Sequence, residues 1–184
     1  MRLNIIHLPH RIDRLETLNN ELREQQIKDY KIWEGIIDQD LPSRGISKAH
    51  KQIIRSAMNE NLPEVLIAED DLHFTSSGAF RYFLDNKPIE YDIYLGGIIG
   101  GKLKDNSNVD DFSGNTLYMV NNRFYKTILS MSEEKDFDRV VANKGKFIVC
   151  NPMVVVQHYG YSDNQKKYID FGPYIRRVKL YGQL

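Results

Sequence analysis

The sequence predicts an α/β fold in which a mostly parallel sheet is flanked by helices within a single domain. Short apolar runs alternate with segments whose apolar residues recur at helical spacing, and this order is typical of a parallel sheet covered on both faces. The 184 residues are 41% hydrophobic and 27% charged, values that fit one folded domain with its own core. The third observation is a group of carboxylates directly after a buried strand, where ligands bind in such sheets.

The predicted elements follow one another in a regular order. The strands are the runs 3–8, 30–33, 65–68, 92–95, 116–120, 147–150 and 153–156. The first helix has apolar residues at positions 12, 15, 18 and 22, and Asp13 followed by Glu16 resembles a capping box at its start. Asn121 or Asn122 is expected to cap a later helix. The segment 98–113 is rich in Gly, Lys, Asn and Asp, which predicts a mobile loop.

Composition limits the classes of partner. Lys plus Arg and Asp plus Glu number 25 each, so the overall charge favours no nucleic-acid partner. The one cysteine, Cys150, is expected to be a small buried hydrophobe in a reducing compartment.

The first ten residues do not have the pattern of a signal peptide, and no apolar run reaches the length of a membrane span, so a cytoplasmic location is expected. The segment 165–184 forms a basic tail that favours contact with an anionic lipid surface or a diphosphate.

Three carboxylates, Glu69, Asp70 and Asp71, directly follow the apolar run 65–68. Neighbouring carboxylates repel one another, so such a group is rarely left without a cation or basic partners. Because side chains alternate along a strand, Glu69 and Asp71 are expected on one face and Asp70 on the other. Two carboxylates on one face predict a site for Mg²⁺ or Mn²⁺ that leaves coordination positions for phosphate oxygens. The alternative is a solvated loop with helix-capping roles.

Four further residues are candidates for chemistry. His50 lies on the apolar face of the second predicted helix, either as a satisfied core histidine or as a site residue. Arg11 and Arg14 lie at a helix start, where cations oppose the helix dipole, so they either serve an anion or lie on the surface. His158 closely follows the last predicted strand and has the chemistry of a neutral metal ligand.

Seven segments, taken in order, resemble one enzyme family. They are IHLPHRIDR at 6–14, WEG at 33–35, GISKAH at 45–50, LIAEDD at 66–71, DIYLG at 92–96, SGNT at 113–116 and the run from Pro152 to Ser162. Together they are similar to glycosyltransferase family 25, the lipooligosaccharide galactosyltransferase-like family. Ile46 replaces the usual Cys and Ala49 the usual Ser of the third segment, and the chain is short for the family.

The resemblance implies a GT-A fold and transfer of a hexose, commonly galactose, from a UDP-sugar to a glycan or lipooligosaccharide acceptor. It implies an Mn²⁺ or Mg²⁺ cofactor bound by Asp71, with Glu69 at the ribose or a metal-bound water and His158 as a third ligand. Asp70 would support the turn. The resemblance also implies that Arg11, Arg14 and His50 lie around the nucleotide sugar, and that the protein works at the inner membrane face, where the basic tail would contact lipid.

An inverting transferase needs a general base for the acceptor hydroxyl. Asp138 is the candidate, because the family often has an Asp in a late helix, and Asp92 and Asp111 are the alternatives. Three other functions stay open. The first is a catalytically inactive domain that binds nucleotide sugars, and the second is a Mg²⁺-dependent phosphohydrolase or nuclease built on the same strand end. The third is a plain interaction module.

Overall fold

A computed structural model describes residues 1–170, 172–175 and 178–183. The strands are β1 (Leu3–His7), β2 (Tyr30–Glu34), β3 (Glu64–Glu69), β4 (Leu72–Phe74), β5 (Ile93–Leu95), β6 (Gly100–Leu103), β7 (Asn108–Ser113), β8 (Leu117–Asn121), β9 (Phe147–Val149), β10 (Val155–Gln157), β11 (Gly160–Ser162) and β12 (Lys167–Ile169). The helices are α1 (Ile12–Glu24), α2 (Pro42–Asn59), α3 (Ala79–Asp85), α4 (Asn122–Ser130), α5 (Phe137–Val141) and α6 (Gly172–Ile175).

Eight strands form one mixed sheet in the order β2-β1-β3-β8-β5-β9-β7-β6. The pairs β1/β2, β1/β3 and β5/β9 are parallel, whereas β3/β8, β5/β8, β7/β9 and β6/β7 are antiparallel. Most strands therefore run in one direction, and β7 and β8 run against them. The predicted sheet of mostly parallel strands is therefore confirmed, with antiparallel pairs where β7 and β8 are inserted. Two short antiparallel pairs, β4/β10 and β11/β12, lie beside the main sheet.

Alternation along the buried strands divides the core into two clusters. In β3, Val65 and Ile67 belong to one cluster, and Leu66 and Ala68 belong to the other. Helix α2 packs against the first cluster and helix α1 against the second, so the central sheet is covered on both faces, as predicted. Cys150 is buried in the second cluster, and burial raises the pKa of its thiol to about 11, in keeping with a small hydrophobe.

Local structure differs from the prediction in several respects. The sequence predicts a loop at 98–113, but this segment forms the β6/β7 hairpin at the sheet edge. Strands β4, β11 and β12 are not among the predicted strands. The capping box is wrong, because α1 starts with Arg11 as its N-cap and the Asp13 carboxylate accepts hydrogen bonds from that guanidinium instead. The Asn121 cap is confirmed, since its side chain accepts the backbone N–H of Arg123.

The described part of the basic tail returns to the core. Met153 N–H donates to the Lys179 carbonyl, Tyr181 N–H donates to the Met153 carbonyl, and Leu180 is buried. The predicted tail also includes Arg176 and Arg177, which lie outside the described residues. Among the helices that the structure describes, none has the length and apolar composition needed to cross a membrane.

Candidate functional site

Glu69 is the last residue of β3, and Asp70 and Asp71 form the turn to β4; we call these three carboxylates the acidic turn. It lies at the carboxyl end of β3, beside the carboxyl end of the parallel strand β1. A pocket of about 670 Å³ opens at this edge, and the acidic turn forms part of its wall. Leu8 after β1 and Gly35 after β2 line the same pocket, because parallel strands deliver their carboxyl ends to one edge.

Asp71 is buried, as Asp70 is. Its Oδ2 accepts a hydrogen bond from Gln157 Nε2 at 2.6 Å and lies 3.2 Å from an Arg14 guanidinium nitrogen. Its Oδ1 is buried and has no hydrogen-bond partner among the described residues. Burial, with the nearby charge of Glu69, raises the pKa of Asp71 to about 7 despite Arg14. A buried carboxylate oxygen without a partner is an energetically poor arrangement that a bound cation would relieve.

Asp70 is held by basic and backbone groups. His7 Nδ1 lies 2.8 Å from its Oδ2, the Leu8 N–H donates to the same oxygen at 3.3 Å, and Arg14 donates to Oδ1 at 2.8 Å. These contacts connect the acidic turn to the end of β1 and to the first turn of α1. The second arginine nitrogen donates to the Tyr161 carbonyl in β11. Asp70 therefore fixes the position of the turn.

Glu69 lies against His50, which is almost fully buried. His50 Nδ1 is 2.7 Å from the Tyr118 hydroxyl, and its Nε2 is 3.1 Å from Glu69 Oε1. Burial raises the pKa of Tyr118 well above its ordinary value, so its hydroxyl keeps its proton and is able to donate it to Nδ1. In the tautomer in which Nδ1 accepts, Nε2 carries a proton and donates to Glu69. Asn115 Nδ2 donates to the same carboxylate oxygen at 3.3 Å, and Phe137 stacks on the imidazole.

Asp138 also lines the pocket, in the first turn of α5. The Gly114 N–H donates to its Oδ2 at 2.9 Å. Burial raises the pKa of Asp138, and this hydrogen bond and Arg139 offset only part of the effect. Gly114 has φ +85°, which suits glycine and lets the chain turn so that its amide reaches the carboxylate.

The structure does not bring Asp92 to this pocket. Asp92 precedes β5 and lies at the amino end of the sheet, where Arg123 donates to its Oδ1 at 2.7 Å and the Lys146 N–H to its Oδ2 at 2.6 Å. The length of β3 alone separates the two ends by roughly 16 Å. Asp92 is therefore a structural carboxylate, and its assignment as a catalytic candidate is corrected.

Arg11 and Arg14 have different surroundings. The Arg11 guanidinium forms ion pairs with Asp13 and Asp163 and donates to the Tyr161 carbonyl. An arginine at a helix start was expected either to serve an anion or to lie on the surface. The anions that Arg11 binds are carboxylates of the chain itself. Arg14 does line the pocket, where it pairs with Asp70 and Asp71.

His158 is also placed differently from the prediction. Its backbone N–H donates to the Asp71 carbonyl at 2.9 Å, but its imidazole lies on the opposite face of the β4/β10 pair. The reason is strand alternation, since the preceding residue Gln157 already points its side chain at Asp71. Among the residues described, the one group of three metal-ligating side chains within 4.8 Å is His158 with Glu21 and His73, and not the acidic turn.

Three residues of the site were not predicted, namely His7, Asn115 and Gln157. His7 is, with Asn4, one of two polar residues in an otherwise apolar strand, and that exception is the available signal. Asn115 and Gln157 belong to segments that carried the family resemblance, but their contacts with Glu69 and Asp71 depend on the pairing of distant strands. Only the fold brings these amides to the carboxylates.

A comparison with protein-family models gives no match, and neither does a comparison with curated protein sequences. Solved structures do match. The Drosophila β1,4-galactosyltransferase 7 in complex with manganese, UDP-galactose and xylobiose has a TM-score of 0.57 and 11% identity, over 98% of this chain and 80% of that chain.

Two other structures are similar in fold. A protein of STIV has a TM-score of 0.52 and 11% identity, over 91% of this chain and 92% of that chain. Mannose-1-phosphate geranyltransferase from Thermus thermophilus has a TM-score of 0.51 and 10% identity, over 85% of this chain and 75% of that chain. At such identities the likeness shows the fold alone. The chain has a GT-A-like fold.

Proposed function

We propose that this chain is a glycosyltransferase that transfers a hexose, galactose in the first instance, from a UDP-sugar to a glycan acceptor, in the synthesis of lipopolysaccharide or another surface glycan. The observation that carries the proposal is Asp71, a buried carboxylate whose Oδ1 lacks a hydrogen-bond partner among the described residues and which lies in the wall of the pocket. The GT-A-like fold supports it, since a neighbour of that fold was solved with manganese and UDP-galactose.

The residues present fit a divalent cation of the Mg²⁺ or Mn²⁺ type. These ions take oxygen ligands and are commonly held by one or two carboxylates together with substrate phosphates, so a cage of three protein ligands is not required. Asp71 would hold the ion, with Glu69 binding it through water or binding the ribose. Gln157 would supply its amide oxygen after rotation of the amide. The ion would act as a Lewis acid that stabilises the departing diphosphate.

The volume and composition of the pocket suit a nucleotide sugar. About 670 Å³ lies within the range of roughly 300–1,000 Å³ that is usual for small-molecule sites. Its lining includes apolar residues such as Ile6, Ile36 and Ile46 and charged residues such as Arg139 and Lys166. A uracil ring would bind against apolar side chains, and the diphosphate would lie near the acidic turn.

The residues of the chain would each have a defined task in transfer. The acceptor hydroxyl oxygen bonds to the anomeric carbon while the bond from that carbon to the diphosphate breaks. Asp138, which faces the pocket and has a raised pKa, accepts the hydroxyl proton as general base. One base and one displacement give inversion at the anomeric carbon. His50 and Asn115 hold Glu69 in place, and Asp70 holds the turn.

The test is a thermal-shift titration of the full chain with UDP, UDP-galactose and UDP-glucose, each with Mn²⁺ and with EDTA. We expect stabilisation by UDP species that disappears with EDTA and in the Asp71→Asn variant. Asp29→Asn is the matched control, because it makes the same chemical change at an exposed carboxylate at the amino end of β2. It should respond like the wild type.

Turnover assays then separate the functions. Release of UDP that depends on a glycan acceptor supports transfer. Metal-dependent donor binding without transfer or hydrolysis, over a broad acceptor panel, would indicate an inactive binding domain. Phosphate release from simple esters would indicate a phosphohydrolase. A normal response of Asp71→Asn to donor and metal would overturn the metal assignment.

A further inference from the structure

We propose that Glu21, His73 and His158 form a second metal site, of the kind that binds Zn²⁺ with two histidines, one carboxylate and one water. We call these three residues the histidine site. The proposal does not depend on the proposed function, because none of the three lines the pocket of the acidic turn in the described structure. They come from α1, from β4 and from the residue after β10.

The ligand atoms already lie close together. His73 Nδ1 is 2.5 Å from Glu21 Oε1, His158 Nε2 is 3.7 Å from the same oxygen, and all three ligand atoms lie within 4.8 Å of one another. Atoms that share one tetrahedral Zn²⁺ lie roughly 3.3 Å apart, given metal–ligand bonds of about 2.0–2.2 Å. Side-chain shifts of roughly 1 Å would thus complete the site.

The histidine site has an unsatisfied atom that a metal would bind. His158 Nε2 is buried and has no hydrogen-bond partner within the part of the chain that the structure describes. Lone ring nitrogens of this kind are typical metal ligands when neutral. The His73 and His158 side chains are 47% and 36% exposed overall, so an ion and its water can reach the site from solvent.

Glu21 is oriented as a ligand should be. Its Oε2 accepts the Phe74 backbone N–H at 2.9 Å, which leaves Oε1 directed at the two imidazoles. Metal binding would displace the proton that lies between Glu21 Oε1 and His73 Nδ1. A second hydrogen bond that orients a metal-bound carboxylate is a usual feature of such sites.

A bound ion would connect three segments next to the acidic turn. His73 follows Asp71 by two residues, and the His158 N–H donates to the Asp71 carbonyl. The histidine site would therefore fasten the β4/β10 pair to α1 from the face opposite the pocket. In this role the ion stabilises the support of the acidic turn without contacting the donor.

The experiment is metal titration of the full chain, purified without a polyhistidine tag and stripped with a chelator. Zn²⁺ affinity is measured by competition with a chromophoric chelator, and Co²⁺ binding by its visible absorption, which reports coordination by nitrogen ligands. We expect one equivalent of Zn²⁺ to bind and to raise Tm by about 5–10 °C at a hundredfold excess over Kd. Glu21→Gln and His158→Gln should each weaken binding by more than about 100-fold, because even outer-shell partners are worth about 10–100-fold.

Two controls separate this site from others. His10→Gln changes an exposed histidine outside the site, and Asp71→Asn alters the acidic turn; both should keep the high-affinity Zn²⁺ site and its Co²⁺ spectrum. Circular dichroism establishes that the variants are folded, and either of the two ligand variants suffices for the test. Failure of the wild type to bind Zn²⁺, or equal binding by the wild type and a folded ligand variant, would overturn the proposal. Glu21 and His73 would then be a hydrogen-bonded pair with His158 packed beside them and nothing more.

Discussion

Asp71 allows a quantitative test of the electrostatics of the acidic turn, through the Asp71→Asn variant in the metal-free chain. The ordinary pKa of Asp is 3.8, and burial together with Glu69 raises that of Asp71 to about 7 in the fold. A carboxyl whose pKa is higher in the folded than in the unfolded chain binds more protons when folded. Its contribution to stability is therefore fully present below about pH 4 and is lost as the pH rises to about 7.

The expected magnitude follows from this difference. At pH 5 the folded chain holds close to one more proton on Asp71 than the unfolded chain, and at pH 7 it holds about half a proton more. The free energy of unfolding therefore falls by about 2 kcal/mol over that interval. The Asp71→Asn side chain keeps an oxygen that accepts a hydrogen bond from Gln157, but it has no charge to desolvate. The free energy of unfolding of the variant therefore does not fall with pH in this way.

The assay is urea denaturation of both proteins with EDTA at pH 5 and pH 8. The stability of the variant relative to the wild type should increase by about 2–3 kcal/mol between the two pH values, which corresponds to about 5–10 °C in Tm for a chain of this length. Asp29→Asn is the control, and its relative stability should not change with pH in this way. A variant that loses relative stability at pH 8 would refute the reasoning, because it would mean that Arg14 stabilises an ionised Asp71.

Two further predictions concern the pocket and the packing of helix α2. Asp138→Asn should lower the kcat of sugar transfer by about 100-fold or more and leave the Kd for UDP-galactose within twofold. The reason is that a general base acts on the acceptor and not on donor binding. An unchanged kcat would exclude Asp138 as the base. Gly45→Ala should lower the free energy of unfolding by about 1–3 kcal/mol in urea denaturation, since its Cβ would lie 2.2 Å from the Ile36 carbonyl oxygen. Gly100→Ala is the control. Its Cβ would meet only the Ser113 side chain, at 3.5 Å, so this variant should be nearly as stable as the wild type.

Much of the fold was predictable because it depends on local patterns. The apolar runs at the start of the chain become β1, β2 and β3, and the helical spacing between them becomes α1 and α2. The acidic turn was also predictable as a feature of the sheet edge, since a buried strand must end before three carboxylates. The β6/β7 hairpin was not predictable in the same way. Its residues show little apolar alternation, because only Val109 and Phe112 of β7 are buried.

The site was less predictable than the fold, because it depends on which distant strands become neighbours. The position of Asp92 shows this clearly. It begins a strand as Glu69 ends one, so the two residues are delivered to opposite ends of the same sheet. Arg11 and Arg14 are three residues apart on one helix, yet one binds Asp163 and the other the acidic turn. Sequence spacing describes a helix face, and the partners of that face are set by tertiary packing.

The β4/β10 pair explains why His158 belongs to a different site from Asp71, although it was expected to share a metal with it. Side chains of consecutive residues in a strand point to opposite faces, so Gln157 reaches Asp71 while His158 reaches Glu21. The two sites therefore share backbone and no side chain. The His158 N–H to the Asp71 carbonyl is a direct connection between them. An ion in the histidine site would restrict the backbone on which Asp71 is placed, and it would do so without competing for the oxygen atoms that the acidic turn presents to the pocket.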